Sequence, residues 1–168
     1  DSNLNAETAS DRIEELKLKS QYKGITRFVS THPDQDHFGG IELLDEKMPI
    51  ANFYVVKNKA TKSEETESFK HYCKLRDDSA KAFYVSKGCT RKWMNQTDEV
   101  RGSSGINILW PDINNSDFKD ALEACSEGGS PNNISTVVRY ALEGGASVMW
   151  LGDLETEFME KITDHIVL

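Results

Sequence analysis

Two histidines and two aspartates fall within six positions of the run Thr31-His32-Pro33-Asp34-Gln35-Asp36-His37-Phe38-Gly39-Gly40. Imidazole nitrogen with carboxylate oxygen is a donor set that suits zinc, and also manganese or iron. In an extended run alternate side chains point the same way, so His32 and Asp34 can reach one ion. A turn just after them would let Asp36 and His37 serve a second ion beside the first. Two carboxylates this close repel unless a cation compensates them, and without one a carboxyl tends to stay protonated. The plainer use of the same residues is a polar loop in which Asp34 or Asp36 caps the next helix. Two His and two Asp at this spacing, after a strand and before Gly-Gly and a helix, favour metal binding over that use.

The elements around the run are readable from periodicity and punctuation. Thr8, Ser10 and Asp11 are N-cap candidates for a helix over Thr8–Tyr22, with Ile13, Leu16 and the Lys17 stem facing inward, and Gly24 ends it. Ile25–Ser30 reads as a strand of β-formers, which places the His/Asp run on the loop at its C-terminal end. Gly39 and Gly40 permit a tight entry into a second helix over Ile41–Lys47, and Pro49 prevents its extension.

Asn52–Val56 reads as a strand, and Glu64–Asp78 as a charged helix turning Phe69, Tyr72, Cys73 and Leu75 to the core. The stretch from Ala80 to Gly105 carries a weaker signal, a helix or strand around Phe83-Tyr84-Val85. Ile106–Trp110 is a strand closed by Pro111, Asp117–Cys125 a short helix, and Gly128–Asn133 a turn-rich loop. Ile134–Tyr140 and Ala146–Leu151 form a hairpin about Glu143-Gly144-Gly145. Gly152-Asp153 ends its second strand, and a helix follows over Glu155–Thr163. Strands and helices mixed in this order predict a layered α/β domain with sheets covered by helices.

Composition narrows the function classes. The 168 residues suffice for one domain with a core. No apolar run approaches the ~20 residues needed to cross a bilayer. The net charge of −8 weighs against binding a polyanion through diffuse charge, although bound divalent cations would offset part of it. The three cysteines, Cys73, Cys89 and Cys125, are odd in number and widely spaced, which predicts free thiols in a reducing compartment and hence a cytoplasmic protein. His71 and His165 read as surface residues. Lys57, Lys59, Lys62, Lys87, Arg91 and Lys92 read as a solvated face ahead of a basic rim for phosphate, and Trp93 and Trp110 as core residues.

The pattern His-x-Asp-x-Asp-His-x-Gly-Gly from His32 to Gly40 resembles the metallo-β-lactamase superfamily, whose usual motif is His-x-His-x-Asp-His. Aspartate in place of the second histidine, here Asp34, is similar to the branch related to the soluble hydrolase domain of DNA-internalisation competence proteins. A second block agrees with that branch. Asn132-Asn133-Ile134-Ser135-Thr136-Val137-Val138, followed by Val148-Met149-Trp150-Leu151-Gly152-Asp153, resembles its Asn-x-x-Ser strand and Gly-Asp turn. Ile108-Leu109-Trp110-Pro111 resembles the strand before them. The likeness runs from about Ile25 to the C-terminus and is thin between Ala60 and Gly105.

The resemblance implies an αββα sandwich and two divalent ions, zinc ahead of manganese. His32 and Asp34 would hold the first ion, Asp36 and His37 the second, and Asp153 would bridge them. Asp36 would also orient the attacking water, making it the catalytic residue. The substrate class implied is a phosphodiester, in nucleic acid or a nucleotide, with a small molecule as the wider class. Asn132 or Asn133 stands where the family has a histidine. An amide is a poor zinc ligand, so the expectation is either a weak first metal site or a residue there that contacts substrate.

The family's last histidine would lie beyond Leu168 and its first strands ahead of Asp1. Residues 1–168 therefore read as the middle of one domain, incomplete at both ends, which binds metal weakly by itself and has protein partners or further domains outside the segment. The competing expectation is a catalytically silent module of the same fold, used for binding or regulation.

Overall fold

The structure, a computed structural model, describes residues 6–21, 23–142 and 144–166. Tyr22 and Glu143, expected to end the first helix and to sit in the hairpin turn, lie outside the described residues, as does the Thr8 side chain. The described residues form a mixed α/β structure with two small sheets. It divides into two compact units, one made of Asp1–Lys57 and Lys62–Tyr84, the other of Asn58–Thr61 and Val85–Leu168. No helix among the described residues is long and apolar enough to cross a membrane.

The first unit is built on a parallel sheet. Its elements are α1 (Ala6–Lys19), β1 (Phe28–Val29), α2 (Gln35–Phe38), α3 (Ile41–Lys47), β2 (Phe53–Val55), α4 (Glu67–Asp77) and β3 (Ala82–Tyr84). The strands lie in the order β1-β2-β3, with Phe28 opposite Phe53 and Phe53 opposite Ala82. Parallel neighbours need crossovers, and α2, α3 and α4 supply them.

The strand expected from Ile25 is shorter than its β-forming residues suggest. Ile25 makes only an isolated bridge to Ile50, and the Thr26 carbonyl accepts from the Asn52 side chain at 2.7 Å instead of entering the ladder. The first helix is also corrected. It reaches back to Ala6, so Ser10 and Asp11 lie inside it and do not cap it. Its buried stripe is Ala9 and Ile13, whereas Leu16, expected inside and on the same face, is 46% exposed.

α3 keeps its expected bounds, entered through Gly40 at φ 80, a left-handed conformation that favours glycine. Four buried aromatic rings hold the helices on the sheet. Tyr72 stacks on Phe38 at 5.0 Å and on Phe69 at 6.3 Å, and meets Phe53 edge-on at 5.6 Å. Cys73, expected in this core, is only half-buried, because α4 turns the neighbouring Ser68, Tyr72 and Arg76 inward instead.

A part-buried hydrogen bond ties α3 to α4. His71 Nε2 lies 2.9 Å from Asp45 Oδ2, and the other carboxylate oxygen accepts from the Ile50 N–H at 2.6 Å. His71 is therefore a tertiary contact, not the loose surface residue expected. Burial pushes the Asp45 carboxyl up, but the Ile50 N–H, His71 and Lys81 outweigh it and hold it below its ordinary value. A carboxyl lowered in the folded state contributes stability above its unfolded pKa of ~3.9, and that contribution is lost as pH falls through the lower folded value. Urea midpoints measured from pH 6 down to pH 2.5 should fall more steeply in wild type than in Asp45→Asn. Parallel curves would show that the pair contributes nothing.

The second unit is antiparallel. It contains β4 (Ile106–Trp110), α5 (Ser116–Ser126), a turn of 3-10 helix (Asn132–Ile134), β5 (Val137–Ala141), β6 (Ser147–Trp150) and α6 (Thr156–Ile166). The sheet order is β4-β5-β6, and Val138 faces Trp150 across the expected hairpin. β5 begins at Val137, not at Ile134. Pro131 at φ −85, ψ −3 starts a 3-10 turn, which closes with Ser135 N–H donating to the Asn132 carbonyl at 3.0 Å.

A Cβ at Gly105, φ 74, would overlap the Ala141 carbonyl oxygen, so only glycine lets β4 start against β5. Trp110 is fully buried and packs edge-on against Phe118 at 5.8 Å and Phe158 at 6.0 Å. Trp93, expected in the core, is half-buried, and its neighbour Met94 takes the buried place.

Candidate metal centre

β1 aims the His/Asp run. Its ladder continues one residue past the strand, with Ser30 N–H donating to the Tyr54 carbonyl at 2.9 Å, and the chain then leaves the sheet edge. His32 follows two residues on and is 1% exposed. The Thr31 hydroxyl lies 3.1 Å from His32 Nδ1, the kind of outer partner that orients a metal-ligating imidazole. Asp34 is still extended, at φ −108, ψ 147. The chain then winds into α2, whose turn swings His37 back, while Phe38 buries itself and anchors the turn.

The result is a histidine pair. The rings of His32 and His37 sit 4.2 Å apart at 54°, and they offer nitrogens within 4.8 Å of each other. An ion roughly 2.0–2.1 Å from each nitrogen is within reach of that spacing. Buried imidazole beside half-buried imidazole is a donor set that fits zinc.

The two aspartates behave differently from the expectation of one ion apiece. Asp34 caps α2, its Oδ1 accepting from the Gln35 N–H at 2.9 Å and from Lys62 Nζ at 2.6 Å. Burial pushes the Asp34 carboxyl up, but the Lys62 ammonium, the Gln35 N–H and His32 outweigh it and hold it below its ordinary value. Asp36 lies beside the pair, its Oδ2 3.6 Å from His37 Nε2, with a side chain 47% exposed. Within this unit the structure brings His32 and His37 together, sets Asp36 next to them, and commits Asp34 to Lys62.

The turn is fastened from behind by α4. Thr66 caps α4 by accepting from Phe69 N–H, and its hydroxyl donates to Gln35 Oε1 at 2.7 Å. Ser68 accepts from the Gly40 N–H at 2.9 Å and donates to Glu42 at 2.7 Å. A cavity of about 150 Å³ opens beside His37, walled by Ala9, Ile13, Leu16, Phe28 and Leu44.

Asp153 and the two asparagines belong to the second unit. Asp153 is exposed and follows Gly152, which takes φ 59. Its N–H donates to the hydroxyl of fully buried Ser135 at 3.1 Å, which fixes the turn after β6. Asn133 holds the start of the last helix, accepting from the Glu155 N–H at 3.2 Å and donating to the Glu155 carboxylate at 2.8 Å. Its amide therefore has a structural task in addition to the substrate contact expected of it. The Asn132 N–H donates to the Ser130 hydroxyl at 3.3 Å.

Lys62, Thr66, Ser68 and the His71–Asp45 pair are the contacts that sequence reasoning missed. Lys62 lies 28 positions from Asp34, and nothing in local spacing marks the partnership. The expectation of a solvated basic face fails for Lys62, whereas Lys57, 5.4 Å over the Tyr84 ring, and Lys87, which donates to the His165 carbonyl, are exposed as expected. His165 packs edge-on to Trp110 at 6.0 Å, so it is more than a surface residue. Compared with family models, with curated proteins and with solved structures, the chain matches none.

Proposed function

We propose that the chain carries a metal-dependent hydrolase centre of the metallo-β-lactamase kind, acting on phosphodiesters in nucleic acid or nucleotides. The observation that carries the reading is the His32–His37 pair at 4.2 Å, with one ring buried, at the end of a sheet strand. His32 and His37 would hold the metal, with Asp34 and Asp36 as carboxylate ligands and Asp153 as the bridge between two ions, zinc ahead of manganese. When bound, such ions supply Lewis acidity and acidify a water toward a pKa of ~7. Asp36, exposed beside His37, would orient that water and take its proton. Asn132 and Asn133 would contact the substrate. The αββα sandwich belongs to the same proposal; the mixed α/β character of the two sheets and their helices is compatible with its α+β class.

The test is metal content by mass spectrometry together with turnover of bis(4-nitrophenyl) phosphate. The zinc-loaded protein should release nitrophenol. Asp36→Ala should lower turnover by roughly 10²–10⁴-fold, the range for losing a proton-transfer group, with an unchanged circular dichroism spectrum. Full turnover by Asp36→Ala at wild-type metal content would refute its role.

One observation favours a second reading, a silent module used in binding or regulation. Asp34 already has a cation in Lys62, so one ligand of the expected set is engaged. Metal uptake with no turnover of any phosphodiester would favour that reading over the first.

A further inference from the structure

We infer that Lys62 is a built-in competitor for the divalent ion, which must overcome its ammonium before Asp34 can join the centre. This rests on the metal-centre reading above and adds to it a control on loading. The Lys62 ammonium lies 2.6 Å from Asp34 Oδ1, with the two side chains 24% and 35% exposed. A charge-assisted contact of that length, partly shielded from water, is among the stronger hydrogen bonds a side chain makes.

Lys62 cannot easily drift away from the motif. Four residues on, Thr66 caps α4 and bonds Gln35, the residue next to Asp34. The stretch carrying Lys62 is neither helix nor strand, so the side chain can yield without breaking an element. Asp34 also keeps its Gln35 N–H bond through the same Oδ1, so the cap survives if the ammonium leaves. A divalent ion approaching the carboxylate meets a positive charge already seated on it. It must displace the ammonium or bind against its repulsion, and either lowers affinity.

Calorimetry with zinc chloride separates the outcomes. Lys62→Met keeps the stem and removes the charge, and it should bind zinc at least tenfold more tightly than wild type. Lys62→Arg should stay near wild type. Lys59→Met, which lowers net charge equally at an exposed lysine, should not change affinity. In wild type the NMR signal of the Lys62 ammonium should shift in step with the heat of zinc binding. Lys62→Gln serves if the methionine variant fails to fold.

Equal affinities for wild type and both neutral variants would overturn the inference and leave the metal centre standing. Zinc uptake by the neutral variants alone would uphold the competition and remove the metal centre from the unmodified protein. No uptake by any variant would overturn both.

Discussion

Replacing His32 and His37 together by alanine should lower zinc affinity on the order of ten-thousandfold. A four-ligand zinc site is worth about 10–16 kcal/mol, or roughly 3 kcal/mol per ligand, which is about a hundredfold for each imidazole. His32 is 1% exposed, so its loss also opens a cavity and reports on folding as well as binding. His37, with a side chain 22% exposed, is the cleaner single variant. His37→Ala should lose about a hundredfold in affinity with an unchanged denaturation midpoint. The measurement is a zinc titration against a chelating indicator. Wild-type affinity in His37→Ala would mean that the ring pair is packing and nothing more.

Tyr72→Ala should be the most damaging single change in the first unit. Its ring is fully buried and meets Phe38, Phe53 and Phe69. Cutting such a ring to alanine costs about 3–5 kcal/mol, from lost burial and the cavity left behind. Whole-domain stability is about 5–15 kcal/mol, so this loss takes a large share of it. Phe38 packs on Tyr72 and anchors the turn that carries His37, so zinc binding should fail together with the fold. Urea unfolding checks the first expectation and zinc titration at low urea the second. Tyr72→Phe, which keeps the ring, should lose far less than the alanine variant.

The parts that the sequence makes legible are those with local causes. Ile41–Lys47 is bracketed by Gly-Gly and Pro49, and the helix has those ends. Ile106–Trp110 is a run of β-formers stopped by proline, and it is a strand. The hairpin of β5 and β6 follows from two apolar runs around glycines. The His32–His37 meeting was also within reach, because a chain that turns after an extended stretch brings such residues back together.

The parts that were not legible depend on distant partners. Asp34 read as a ligand ahead of a cap, and only the Gln35 N–H and the arrival of Lys62 show what it does in this structure. His71 looked superficial because Asp45, its partner 26 positions away, gives no signal at the level of spacing. Leu16 looked buried because periodicity assigns a face to a helix without saying how far along that face the cover extends. The early start of the 3-10 turn at Asn132 followed from Pro131, whose effect a run of β-formers conceals.

β6 has a bearing on how the protein must be handled. It is an edge strand of its sheet, and Val148, Met149 and Trp150 are 46%, 42% and 51% exposed. Ser147–Trp150 contains no lysine, no proline and no acidic residue, the features that ordinarily blunt an edge. An apolar edge with open backbone groups is a template for another strand, and short uncharged β-forming stretches are where aggregation begins. Concentrated solutions should therefore lose protein through this strip before the fold itself fails. A single lysine at Met149 should raise the concentration at which light scattering sets in, while leaving the buried indole of Trp110 undisturbed.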